Sequence, residues 1–225
     1  MGTDTHQGHR QRLRTRFVQG GLDGFHDYEA VELLLTQAIP RRDVKPLAKD
    51  LVARFGSLRG VCDAPWGELA QTPGLGEAGA TALKIVRAAA ERILFEQALG
   101  SDPIETPEAV VAYLNLHLGG LSEERFAVLL LTQAHRVLGI ETIALGGMAS
   151  APVTPQRIFA AAFRAGSPAL ILVHNHPGGS QDPSPQDLAL THRVVTLAEG
   201  LEIRVLDHLI VTRQGWTSLA RRGLM

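Results

Sequence analysis

Residues 169–187 read ALILVHNHPGGSQDPSPQD, an apolar run that breaks into His174-Asn175-His176-Pro177 and then, past Gly178-Gly179, into Ser184-Pro185-Gln186-Asp187. Five apolar residues bounded by turn formers predict a buried strand over 169–173. Side chains two apart on a strand share a face, so His174 and His176 at its exit can present their imidazoles to one point. Ten residues separate His176 from Asp187, enough chain to loop back and bring a carboxylate to that point. Two neutral imidazoles and one carboxylate make the three-ligand set of a catalytic zinc site, with a fourth position left for water. His174, His176 and Asp187 are therefore the candidate metal ligands, and Zn²⁺ is the expected ion. The same stretch also has a purely structural reading. Ser184 suits a helix N-cap, Pro185 the first helical position and Asp187 the capping-box partner. That reading accounts for the last four residues without a metal. It leaves two histidines at the exit of a buried strand, where unpaired imidazoles are costly to desolvate.

Working outward, the surrounding chain interleaves helices and strands. Thr106-Pro107, Thr154-Pro155 and Ser184-Pro185 each pair a hydroxyl cap with a first-turn proline, and they open predicted helices running to about 118, 164 and 199. Strands are predicted over 126–131, 137–145 and 203–212 in addition to 169–173, which makes this part an α/β domain. Gly100-Ser101-Asp102-Pro103 is the linker by composition, and it divides the chain into residues 1–100 and 101–225.

The first part reads as helical. Helices are predicted over 28–35, 44–55 and 65–71, the second ending at Gly56. Then Thr72-Pro73-Gly74-Leu75-Gly76 leads into a long helix over 77–99. Short helix, glycine turn and long helix resemble a helix-hairpin-helix module, whose glycines let backbone N–H groups at a helix start approach a phosphate. The alternative is an interhelical turn with no ligand. Lys84 and Arg87 are the nearest cations in the long helix and the candidates for contacting DNA. The opening residues carry Arg10, Arg12, Arg14 and Arg16, which read as a solvated arm or a helix start, with phosphate contact as the rival reading.

Composition narrows the classes. At 225 residues the chain is long enough for one large or two small cores. A formal net charge of −1 does not by itself point to nucleic acid. The single cysteine, Cys62, excludes an intramolecular disulfide and reads as a buried apolar residue. No apolar run approaches the roughly 18–20 residues of a membrane span, and the opening segment lacks the apolar core of a signal peptide. A cytoplasmic protein without membrane contact is the expectation.

His-x-His-Pro followed by Ser-x-x-Asp resembles the JAMM (MPN+) metalloprotease motif. HNHPGG, PSPQD and the later LDHLIV at 206–211 resemble the RadC-like branch of that superfamily, over most of the chain. The resemblance implies a JAMM/MPN-type, cytidine-deaminase-like mixed β-sheet domain flanked by helices, preceded by a small all-α helix-hairpin-helix domain. It implies a zinc-dependent hydrolase that cleaves a peptide or isopeptide bond through a metal-activated water. In that pattern a glutamate upstream on another strand is the general base. Glu141, a lone carboxylate inside an apolar strand, is the candidate, with a surface-facing position as its alternative. Glu123 and Glu124 fall in a polar turn and read as solvated. The matching serine, Ser184, would bond the developing oxyanion as well as cap its helix. Asp207 and His208 read as a buried hydrogen-bonded pair behind the metal ligands. Asn175 stands where deubiquitinating relatives carry a small hydroxyl residue, which weakens any transfer of ubiquitin specificity. A metal-dependent nuclease, or a non-enzymatic adaptor acting on DNA, stays open beside the hydrolase.

Overall fold

Three hydroxyl-proline pairs and four apolar runs set most of the second half of the architecture. The structure is a computed structural model that describes residues 3–100, 107–146 and 153–225. The chain divides into two compact units, residues 1–90 and 91–225. That division falls inside one long helix, while residues 101–103 of the expected linker lie outside the described residues.

The first unit is all helical. It contains α1 (Thr3–Gly20), α2 (Asp27–Ala38), α3 (Lys45–Phe55), α4 (Leu58–Asp63), α5 (Trp66–Ala70) and most of α6 (Gly76–Gly100). Apolar positions at helical spacing, among them Val31, Leu35, Leu47, Leu51 and Leu83, meet in one core. The opening segment is a helix held against this unit. Leu13 is buried, Arg16 pairs with Glu29 at 2.9 Å, and Arg10 donates to the carbonyls of Ile39, Pro40 and Arg42.

Between α5 and α6 the chain turns through Gly74 and Gly76, whose φ angles of +83° and +63° suit glycine. Arg42 donates to the Gly74 carbonyl at 3.1 Å, and a Cβ on Gly74 would run into its guanidinium. Lys84 and Arg87 are directed inward. Lys84 Nζ donates to the carbonyls of Cys62 and Ala64 at 2.9 and 3.0 Å, and Arg87 Nε bonds Asp63 at 2.6 Å. Lys84 thus satisfies carbonyl acceptors at the end of α4, while Arg87 pairs with a carboxylate there. Burial and the neighbouring Asp63 push the Cys62 thiol up to about 11.

In the second unit a five-stranded sheet lies between helices. The strands are β1 (Arg125–Leu131), β2 (Val137–Leu145), β3 (Ala169–Asn175), β4 (Arg204–Val211) and β5 (Trp216–Ser218), in the spatial order β2-β1-β3-β4-β5. Among the pairings of these described strands only β3–β4 is parallel. Among the described residues the remaining helices are α7 (Pro107–Leu118), α8 (Pro155–Ala165) and α9 (Pro185–Glu199), each beginning at its proline. Alternation sends Val128, Leu130, Leu170 and Leu172 to a core shared with α8 and α9. Ala127, Leu129, Ile171 and Val173 face the opposite core, shared with α7 and the end of α6. Both faces of β1 and β3 are covered, so these strands read as continuous apolar runs. The sequence pattern did not predict α4 or β5. No helix among the described residues is long and apolar enough to cross a membrane.

A buried thiol with a raised pKa is a poor nucleophile. Cys62 is expected to resist iodoacetamide at neutral pH in the native protein and to label fully in denaturant, measured by mass spectrometry. Rapid native labelling would show that this core opens.

Candidate metal centre

The site is built where β3 leaves the sheet. His174 is the last but one residue of that strand and lies opposite Phe126 on β1 and Ile210 on β4. The Phe126 ring stacks on it, with centroids 5.8 Å apart. His176 follows the strand, its backbone N–H still bonded to the Val211 carbonyl at 3.1 Å. Loop 176–184 then reverses the chain, and Asp187 sits in the first turn of α9.

Asp187 has divided duties. Oδ2 accepts from the Ser184 backbone N–H at 2.7 Å and from the Ser184 hydroxyl at 2.6 Å, while the Asp187 N–H is capped by Ser184 Oγ at 3.2 Å. That is the reciprocal capping box expected from the sequence. Oδ1 lies 3.2 Å from His174 Nε2, and Oδ2 lies 3.5 Å from His176 Nε2. The two Nε2 atoms face one another at 2.9 Å. One donor atom from each of His174, His176 and Asp187 therefore lies within 4.8 Å of the others, and the group could hold a metal ion. Side-chain exposure is 0% for His174 and 4% for Asp187 but 18% for His176, so the open side of the cluster is at His176.

The donors suit a divalent cation on chemical grounds. His176 Nδ1 faces the Ser180 carbonyl at 2.9 Å, and a carbonyl only accepts. Nδ1 donates there, which turns Nε2, the nitrogen beside Asp187, into the cluster. Burial alone would push the Asp187 carboxyl up. Hydrogen bonds from both histidines and Ser184, with the charge of His174, outweigh it and hold Asp187 far below the usual carboxylate range, so it is an anion. Two ring nitrogens beside a fixed anion form the nitrogen-and-oxygen set favoured by zinc.

Behind the cluster His208 is fully buried, its Nε2 2.9 Å from His174 Nδ1 and its Nδ1 2.6 Å from the Thr191 hydroxyl. Burial, then the charge of His174, lowers its pKa well below the ordinary histidine value, so the ring is neutral. The expected Asp207–His208 pair is split. Asp207 takes bonds from the Ser218 hydroxyl and the Ala220 N–H at 2.6 and 3.0 Å, and its only bond to His208 is through that residue's backbone N–H.

The structure brings His174, His176, Asp187 and Ser184 together and places Glu141 elsewhere. Glu141 lies opposite Val128 in β2 and is ion-paired with Arg164 at the end of α8. An apolar strand did not leave this carboxylate unpaired, because a partner distant in sequence reaches it. Glu124, directly before β1, adds its charge to the site. The bond from Asp187 is the main cause of the raised His176 pKa, and the charge of Glu124 adds to it. Asn175 fixes this segment from both sides. Its Oδ1 accepts from the Arg125 N–H at 2.7 Å and its Nδ2 donates to the Glu123 carbonyl at 3.1 Å. The available sequence signal was an acidic pair immediately before a buried strand.

Residues 104–224 match the model of the RadC-like JAB domain. The chain is 38% identical over 213 residues to a UPF0758 protein of Rhodobacter capsulatus, covering 95% of this chain and 100% of that one. It is 37% identical over 217 residues to a UPF0758 protein of Ruegeria pomeroyi, covering 96% and 97% respectively.

If these atoms bind an ion, elemental analysis of wild-type protein loaded with zinc and desalted should return about one equivalent per chain. His174→Ala and Asp187→Ala should each return little. Asp182→Ala, an exposed residue paired with Arg222, should return the wild-type amount. Equal retention by all four proteins would place the ion elsewhere.

Proposed function

The chain belongs to the RadC-like JAB-domain family, and from that premise we propose that it is a zinc-dependent hydrolase cleaving a peptide or isopeptide bond. The observation that carries this reading is the convergence of His174 Nε2, His176 Nε2 and an Asp187 carboxylate oxygen within 4.8 Å, with one side open. A zinc ion held there would supply a hydroxide at neutral pH and polarise the scissile carbonyl.

The chain's own groups do the rest. The Phe126 and His174 rings stack behind the cluster and keep water out on the sheet side. Glu124, with its backbone held by Asn175, takes the proton of the attacking water on its carboxylate and returns it to the leaving amine nitrogen. It replaces Glu141 in this role, because Glu141 is already ion-paired with Arg164. The Ser184 hydroxyl turns from Asp187 Oδ2 to donate to the developing oxyanion, a bond needed most when charge has accumulated there. Phosphodiester cleavage fits less well, since two-metal nuclease sites gather several carboxylates and this group contains one.

Turnover of fluorogenic peptide and isopeptide substrates, blocked by a chelator and restored by zinc, tests the reading. Glu124→Gln should lower kcat by about 10²–10⁴-fold, whereas Glu141→Gln should stay within a few-fold of wild type. The reverse ranking would return the general base to Glu141. Ser184→Ala should lose about 10²–10³ in kcat for a folding cost of only about 1 kcal/mol. An amide library with no cleaved member would count against hydrolysis of this bond class.

A further inference from the structure

The residue between the two histidines makes a pair of bonds of its own. The last β1–β3 pair is Phe126 with His174, and the His176 N–H turns to the Val211 carbonyl on the β4 side. Beyond that pair the Asn175 carboxamide takes the place of a neighbouring strand. Its Oδ1 accepts from the Arg125 N–H at 2.7 Å and its Nδ2 donates to the Glu123 carbonyl at 3.1 Å, one acceptor and one donor as in a ladder. On the other side the Gly146 N–H, just past β2, bonds the Glu124 carbonyl at 2.8 Å. Gly146 has φ +84°, a conformation that suits glycine. Backbone groups that point alternately to the two sides are the pattern of an extended strand. Glu124 is therefore held extended, one step before β1 begins, by three bonds to its own and adjoining backbone groups. Residues two apart in such a segment share a face. Glu124 falls on the face of Phe126, whose ring stacks on His174, while Glu123 falls on the other.

We propose that Asn175 is a positioning residue, which fixes Glu124 on the metal side of the sheet and keeps Glu123 on the other. A carboxamide is the side chain that meets both backbone groups. A hydroxyl has one oxygen where the carboxamide has two separated polar atoms, and a carboxylate would set an oxygen against the Glu123 carbonyl. Asn175 is 1% exposed, so water does not stand in for it. The end of β3 thus serves two purposes at once. His174 and His176 go to the cluster, and the side chain between them secures the acidic segment beside it. The catalytic meaning rests on Glu124 acting as the base proposed above, whereas the backbone clamp stands without it.

The test uses the full chain and two readouts. The first is carboxyl footprinting, in which a carbodiimide and glycine ethyl ester label accessible carboxylates and mass spectrometry assigns them. In the wild type the exposed Glu123 should label several-fold faster than the half-buried Glu124. Asn175→Ala should bring the rate of Glu124 toward that of Glu123. The second readout is steady-state kinetics at equal zinc occupancy. Asn175→Ala should lower kcat by about 10–100-fold through misplacement of the base, with KM within about threefold of wild type. In a Glu124→Gln background the same substitution should change kcat by less than about twofold, because residues acting through one group are not additive. A role in folding alone would lower the melting temperature and cut kcat equally in both backgrounds. Asn175→Thr keeps a hydroxyl in the core, serves if the alanine variant does not fold, and should show the same changes at smaller size. Unchanged labelling of Glu124 in the variants, or an additive loss in the double variant, would overturn the proposal. If the wild type cleaves no amide, footprinting still distinguishes a held Glu124 from a loose one, and the missing turnover weighs only against the hydrolase reading.

Discussion

One parallel pairing organises the second unit. Every other neighbouring pair of strands runs antiparallel, but β3 and β4 run the same way, and a parallel pair must be joined by a crossover. The crossover is α9, which has to return along the sheet from the exit of β3 to the entrance of β4. Its first turn is thereby forced to lie over the end of β3, where His174 and His176 emerge. A carboxylate in that first turn cannot avoid the two imidazoles. The cluster is a consequence of topology before it is a matter of individual residues.

The same constraint explains how the polar groups are tolerated. His174, His208, Thr191 and Asp187 are all buried, and each finds a partner among the others or in Ser184. Partly satisfied buried networks are costly, whereas completed ones specify a single arrangement. Here completion needs three elements at once: β3 for one ring, β4 for the second, and α9 for the hydroxyl and the carboxylate. Phe126 from β1 closes the cluster on the sheet side.

Local chemistry made much of this legible. Three proline-marked helix starts, the apolar runs of β1 and β3 and the full extent of β2 follow from punctuation and alternation. The Ser184–Asp187 box was readable because a cap is a contact across three residues. What sequence could not convey was pairing at long range. Phe126 registers against His174 across β1 and β3, which is how the charge of Glu124 reaches His176, and nothing in a polar turn records that register. Glu141 looked isolated because Arg164 lies on a helix that only the fold brings near. Asp207 and His208 look like a unit in sequence, yet adjacent strand residues face opposite ways and took separate partners. The six-residue α4 and three-residue β5 are too short for periodicity to register.

The division of labour between the two oxygens of Asp187 has a further meaning. One is committed to winding the crossover helix, and both are within reach of an incoming cation. Any ion that draws this carboxylate toward itself also pulls on the hydrogen bonds that begin α9. A bound ion and the start of the crossover helix would therefore have to share a single side chain.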